Sequence, residues 1–404
     1  MKHLKKKAWL LTIFLCVLAT ISFASVAQAL PRTISFLSVA QALPQEQPTI
    51  GTIESVASFN GPMPTGVTVS KGGRIFVNFP HWGDQVDYTV AELQHGRTVA
   101  YPNADINRPN TSNQSESLVS VQSVVVDPQD RLWILDTGSI EFGPTSYGGP
   151  KLVGVDLQQN SIFKTILFPQ NVALPTTYLN DIRFDLRRGQ GGMAFITDSS
   201  DNGPNGIIVV DLASGRSWRR LNDHPSTKAV PGFLPSVEGQ PLLNRLPGQP
   251  PSQLALGSDG IAISADGKSL FYCPLASRRL YSVSVDALAN EQLSDAEVAA
   301  TVADLGEKGG GSDGLESDSD NRIYVTNYEQ NAIFRRLPSG MYETLVRDPR
   351  ILWPDTLSVA QDGYLYFTAN QLHRQARYHE GKDLRQKPYS LFRTRIDASP
   401  VSLR

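Results

Sequence analysis

The chain has 404 residues, with 37 Lys and Arg against 39 Asp and Glu, 40% hydrophobic residues, 32 Gly and 27 Pro. This is a globular, turn-rich composition, which excludes a disordered, collagen-like or coiled-coil chain. The near-neutral balance supplies no basic field for backbone phosphates, so nucleic acid is excluded as a partner class.

The N-terminus reads as an address. Lys2, Lys5, Lys6 and Lys7 precede an apolar run from Ala8 to Phe23, and Ala27-Gln28-Ala29 has the small-x-small pattern of signal cleavage. Ile21 to Pro31 recurs almost unchanged as Ile34 to Pro44, which adds a second such site at Ala40-Gln41-Ala42. Residues 1–42 are therefore expected to be a signal peptide cut after residue 29 or 42, with residues 43–404 forming a single domain. The apolar run is short for a bilayer span. The mature protein is expected to be secreted, periplasmic or extracellular, with no membrane span. Cys16 leaves with the leader, so Cys273 stands alone and no internal disulfide forms. Following Leu270-Phe271-Tyr272, it reads as a buried small hydrophobe.

The body is a series of degenerate repeats. After an isolated strand at Thr52 to Phe59 come six copies of one unit, a polar opening, an alternating strand, a Gly/Asp/Asn turn and a second strand. They run Pro64 to Asn78, Val121 to Asp136, Leu179 to Asp198, Ser258 to Cys273, Ser312 to Asn327 and Pro354 to Ala369. Further period-2 hairpins lie between them, at Lys151 to Phe168, Gly206 to Leu221, Arg279 to Asp286 and Asn331 to Val346. Two hairpins per unit make a four-stranded sheet, and six such sheets predict an all-β, six-bladed β-propeller of antiparallel blades. The last unit has a third strand, Tyr389 to Asp397, and lacks a fourth, so Thr52 to Phe59 is predicted to complete it and close the ring. Ala287 to Ala300 is predicted to be a short helical connection with Ser294-Asp295 as cap. The proline-rich stretch from His224 to Gln253 is an excursion between the third and fourth blades, either a lid or a tolerated insertion.

Aligning the openings of the six units gives Thr65, Gln122, Asn180, Asp259, Asp313 and Asp355. The first strand of a propeller blade lines the central channel, so these residues are predicted to form a polar ring at one mouth. Strand alternation directs Asn180 inward and Asp181 away. Carboxylates on a common channel raise one another's pKa unless something cationic is present. Either a hard cation such as Ca²⁺ sits on Asn180, Asp259 and Asp313, or the ring holds a cationic ligand. Asp259-Gly260 and Asp313-Gly314 equally suit turn capping. Phe79, Trp82, Tyr147, Tyr178, Tyr328 and Trp353 fall where a mouth would be lined, with Trp82 and Tyr328 counted as ligand-binding. His373 and His379, in an Arg-rich stretch, read as surface. No Gly-x-Ser-x-Gly elbow occurs.

The segments Arg131 to Gly138, Gly148 to Leu157, Tyr178 to Asp185, Ala194 to Ser199, Gly206 to Ser226 and Trp353 to Leu372 resemble, in order, the yellow / major royal jelly protein family. The resemblance implies a secreted six-bladed propeller, and the lack of pairing cysteines looks like a bacterial-type member. That family is functionally mixed, so the resemblance carries fold more firmly than activity. The Ser-Asp-Gly segments also look like the metal-binding segment of gluconolactonase-type lactonases, in which Asn180 and Asp259 match two ligands. The Glu expected at the first blade is replaced by Thr65. Two readings stand. One is a channel that binds a small polar or aromatic molecule, and the alternative is a divalent-metal-dependent hydrolase or isomerase on the same ring.

Overall fold

A computed structural model describes residues 48–110 and 112–404, so the leader and both its cleavage motifs lie outside the described residues. Six four-stranded antiparallel sheets and one two-stranded ribbon make up the β-structure. The innermost strands are Val67–Val69, Val121–Val126, Leu179–Asp185, Ser258–Ile263, Leu315–Ser317 and Pro354–Val359. Each touches the innermost strand of the next blade, and the last touches the first, which makes a closed six-bladed ring.

Position in the blade decides the pattern of each strand. Leu179–Asp185 is buried along its whole length because both of its faces meet neighbouring blades. At the rim of the second blade, Ser161–Leu167 carries the exposed Ile162 and Phe163. Between blades the core is aromatic and β-branched. Trp133 stacks on Phe184 at 5.7 Å, and both belong to a cluster with Phe168, Ile182 and Ile196.

Side chains from second strands lace three of the six blades to the next one. Thr197 Oγ1 donates to the Asp259 carbonyl (2.6 Å), Thr368 Oγ1 to the Thr65 carbonyl (2.7 Å) and Asn78 Nδ2 to the Gln122 carbonyl (2.9 Å). All three bonds end on a residue of the predicted ring, so the lacing fixes the ring backbone.

The ring closes as the repeat count implies. Ile53–Phe59 pairs antiparallel with Tyr389–Arg395, from Ile53 opposite Thr394 to Phe59 opposite Tyr389. The sixth blade therefore joins strands from both ends of the chain. The predicted helical connection is two short helices, Val285–Ala289 and Asp295–Ala299. Ser294 and Glu297 form a reciprocal capping box on the second. The chain end crosses the opposite mouth, where the Ser399 carbonyl accepts from Ser319 N–H (2.9 Å) and the Leu403 carbonyl from Leu186 N–H (2.8 Å). Among the described residues no helix is long and apolar enough to cross a membrane.

Candidate functional site: the carboxylate-floored channel mouth

The ring forms at the mouth where the innermost strands begin. Asp259, Asp313 and Asp355, with Asn180 and Gln122, line one narrow cavity of about 20 Å³, room for one or two waters. A local device aims these side chains. Pairing shifts register between Leu179 and Ile182, Ser258 and Ile261, Pro354 and Leu357, and Val121 and Ser123. Each irregularity falls at the ring residue, and such bulges redirect a side chain that simple alternation would misplace. Asn180 faces the cavity, as expected. Asp181 is buried too: it accepts from Ser123 Oγ (2.7 Å) and pairs with Arg183 (2.9 Å).

The three carboxyls are held by neutral donors. Asn180 Nδ2 donates to Asp259 (2.7 Å), Trp353 Nε1 to Asp313 (2.7 Å) and Asn370 Nδ2 to Asp355 (2.6 Å). Burial, then the facing Asp313 carboxylate, pushes Asp259 and Asp355 well above the usual carboxylate range. Burial lifts Asp313 only to about 6, because hydrogen bonds from Asp259 and Trp353 favour its charged form. Asp259 and Asp355 thus keep their protons at neutral pH unless a cation arrives, while Asp313 has given up its own.

Trp353 reaches Asp313 from a strained backbone. Its φ is +56°, in the left-handed region that a bulky residue avoids, and its indole is fully buried. Tyr328 stacks on it with ring centroids 4.1 Å apart. Tyr328 is therefore a support behind the floor, and its hydroxyl donates to the Leu275 carbonyl (2.8 Å). Thr65 is likewise engaged in the lacing, donating from Oγ1 to the Gln122 carbonyl (3.3 Å) and accepting from Asn78. Neither residue lines the cavity.

A stacked aromatic cover closes the cavity from outside. Phe142 stacks on Tyr178 (4.4 Å) and on Trp82 (5.3 Å), and Trp82 Nε1 donates to the Tyr178 hydroxyl (2.9 Å). That hydroxyl donates onward to Gln122 Oε1 (3.2 Å), tying the cover to the ring. Glu141 and Phe142 both have positive φ, +51° and +59°. Beyond the cover opens a wider cleft of about 440 Å³, which shares Trp82, Phe142, Gln375 and Arg377 with the inner cavity.

The 224–253 excursion packs around this mouth, since Phe233, Val237 and Leu242 share a core cluster with Tyr328, Trp353 and Tyr378. Its Glu238 pairs with His373 (2.8 Å) and Arg374, which holds Glu238 near 2. This corrects the surface reading of His373, which is 4% exposed and stacks on Trp353. The Arg-rich stretch lies against the site, so its charge content misleads. Phe79 is in the core and Tyr147 stands exposed, away from the cavity. Phe142 and Arg377 went unrecognised in the sequence because they sit on connections outside the repeats. The only signal was the length of the 370–388 connection, and long loops at a mouth carry function.

The donor types suit a hard cation, but the arrangement does not. Each carboxyl already uses an oxygen on Asn180, Trp353 or Asn370, and the space between them is small. Among the described residues no three His, Cys, Asp or Glu side chains come together as a metal site. The proposed set Asn180, Asp259 and Asp313 does not fit a resident metal as arranged.

The geometry defines a class, a six-bladed propeller with an acidic, aromatic-covered channel mouth. Within that class the chain belongs to the major royal jelly protein family, whose model, "Major royal jelly protein", matches residues 119–397. Protein yellow of Drosophila erecta and that of Drosophila melanogaster are each 27% identical over 242 residues, covering 57% of this chain and 42% of theirs. The chain thus spans less than half the length of these relatives. Among solved structures, a gluconolactonase from Xanthomonas campestris is similar at 12% identity and TM-score 0.50, covering 85% of this chain and 89% of that one. A calcium-binding regucalcin from Agrobacterium tumefaciens is similar at 13% identity and TM-score 0.50, with 86% and 95% coverage. At these identities the likeness shows the propeller fold alone.

Proposed function

We propose that this protein is an exported propeller that binds a small cationic molecule at the channel mouth, over Asn180, Asp259, Asp313 and Asp355. One observation carries the reading: three buried carboxyls converge there, and the hydrogen bonds that hold them come from amides, an indole and a hydroxyl, not from Lys or Arg. A ligand ammonium would supply the missing charge, and the Trp82–Phe142–Tyr178 cover would supply aromatic faces for cation–π contact. The cover must open for entry, because the inner cavity is smaller than any organic amine. Export rests on the Lys-rich, apolar leader and its Ala-x-Ala motifs.

Calorimetric titration with phenethylamine tests the reading. Binding is expected to strengthen as pH rises through about 6, where Asp313 gives up its proton, and to vanish in the Asp259→Asn, Asp313→Asn double variant. Binding that survives the double variant overturns it. Added Ca²⁺ is expected to leave the melting temperature where excess EDTA leaves it. A reversible rise would place a cation on the ring and favour metal-dependent chemistry of the lactonase type.

A further inference from the structure

Arg377 is the cation of this mouth that the described residues leave without a hydrogen-bonding partner. Its buried Nε–H meets no acceptor, and its nearest acidic neighbour, Asp201, is 3.9 Å away, beyond hydrogen-bond reach. The other arginine of the cleft differs: Arg385 is clamped by Asp84 (2.8 Å) and Asp383 (2.6 Å). Arg377 is held in place by aromatic faces instead, 5.3 Å from the Phe142 centroid and 5.5 Å from that of Tyr378. It lines both the inner cavity and the outer cleft. A planar guanidinium fixed by stacking, with unused N–H donors, is built to take a carboxylate in two parallel hydrogen bonds. An N–H buried without an acceptor is costly, and a ligand oxyanion would relieve that.

We propose that the ligand is a dipolar molecule of the aromatic α-amino-acid class. Its ammonium meets the carboxyl floor, its carboxylate meets Arg377, and its ring lies among Trp82, Phe142 and Tyr178. The inference rests on the floor being a cation site, and it adds the second charge and the residue that selects for it. Arg377 and the floor line one narrow cavity, which suits the short separation of the two charges in an α-amino acid.

The test is calorimetry on the mature protein with L-phenylalanine, phenethylamine and 3-phenylpropionate, which carry both charges, only the cation and only the anion. Phenylalanine is expected to bind about tenfold or more tighter than phenethylamine, the scale of charge-assisted hydrogen bonds. Arg377→Gln should bring phenylalanine down to the phenethylamine level. Arg377→Lys, which keeps the charge and loses the fork, should fall between. Unchanged melting temperatures establish that both variants fold. Phenethylamine binding the wild type as tightly as phenylalanine, or Arg377→Gln weakening both amines equally, overturns the role of Arg377 while leaving the cation site standing. Tightest binding by 3-phenylpropionate, or no binding by either amine, overturns both readings.

Discussion

Asp313 shows how one residue couples stability to function. In the unfolded chain it ionises near the ordinary carboxylate value of 3.8 and in the native state only at about 6, and Glu316 moves from 4.5 to about 7, chiefly through burial. The native state therefore holds protons that the unfolded state has released. This stabilisation is complete below about pH 4 and is lost as pH rises through about 6 to 7. Glu238 works in the opposite sense, adding stability above 4.5 that is lost as pH falls toward 2. The ligand-free protein is expected to melt lower at pH 8 than at pH 5. Asp313→Asn, which can still accept from Trp353, should raise the pH 8 melting temperature by a few degrees and flatten the profile. A profile unchanged by the substitution would remove Asp313 as the cause. Arg183 makes the contrasting case. It is 5% exposed and bridges the channel from Asp181 (2.9 Å) to the Leu315 carbonyl (2.6 Å) and Glu316 (3.4 Å). Arg183→Met would leave the buried Asp181 and the half-buried Glu316 without their cation, and chemical denaturation should report a loss of about 3–5 kcal/mol.

At the scale of elements, the strands were legible and their defects were not. Recurrence of the same unit places Leu179–Asp185 and Ser258–Ile263, although both strands are buried along their whole length and not on alternate residues. The register shifts at Asn180, Asp259 and Asp355 leave no trace in that pattern, since a bulge costs one residue of pairing and no hydrophobic position. Repeat alignment still picks out Gln122, Asn180, Asp259, Asp313 and Asp355 as neighbours, because a repeat aligns equivalent positions whatever their local geometry. Phe142 and Arg377 lie outside the repeat, and neither composition nor spacing marks them. Position alone points Thr65 and Tyr328 to the channel, yet lacing and stacking consume them. The lacing gives its own prediction. Thr368→Val keeps the shape, removes the 2.7 Å bond to the Thr65 carbonyl, and leaves that buried acceptor without this donor. Denaturant titration should show a loss of about 1–3 kcal/mol with an unchanged slope.

For the whole molecule the governing feature is closure. The free Cys273 is buried, so no internal disulfide cross-links the described residues, and the ring depends on strand pairing and interblade packing. Removing residues 48–60 would strip the outer strand from the sixth blade and expose the backbone edge of Tyr389–Arg395. Exposed edges recruit other chains. Light scattering of that variant should show self-association at concentrations where the intact protein is monodisperse.

The same pairing sets a schedule. Glu54 must find Arg393, a partner 339 positions away, before the circle is complete. A ribosome at 5–20 residues per second therefore finishes nearly the whole polypeptide before its first strand has anywhere to go. The first described strand is the last to be docked. Under the export proposed above, that delay would be useful, since a chain threaded through a membrane as an unfolded polypeptide must not close its ring first. Interrupted synthesis also has a built-in mark: a product that ends before Tyr389 lacks the partner of Ile53–Phe59 and keeps an open edge that proteases and chaperones can recognise.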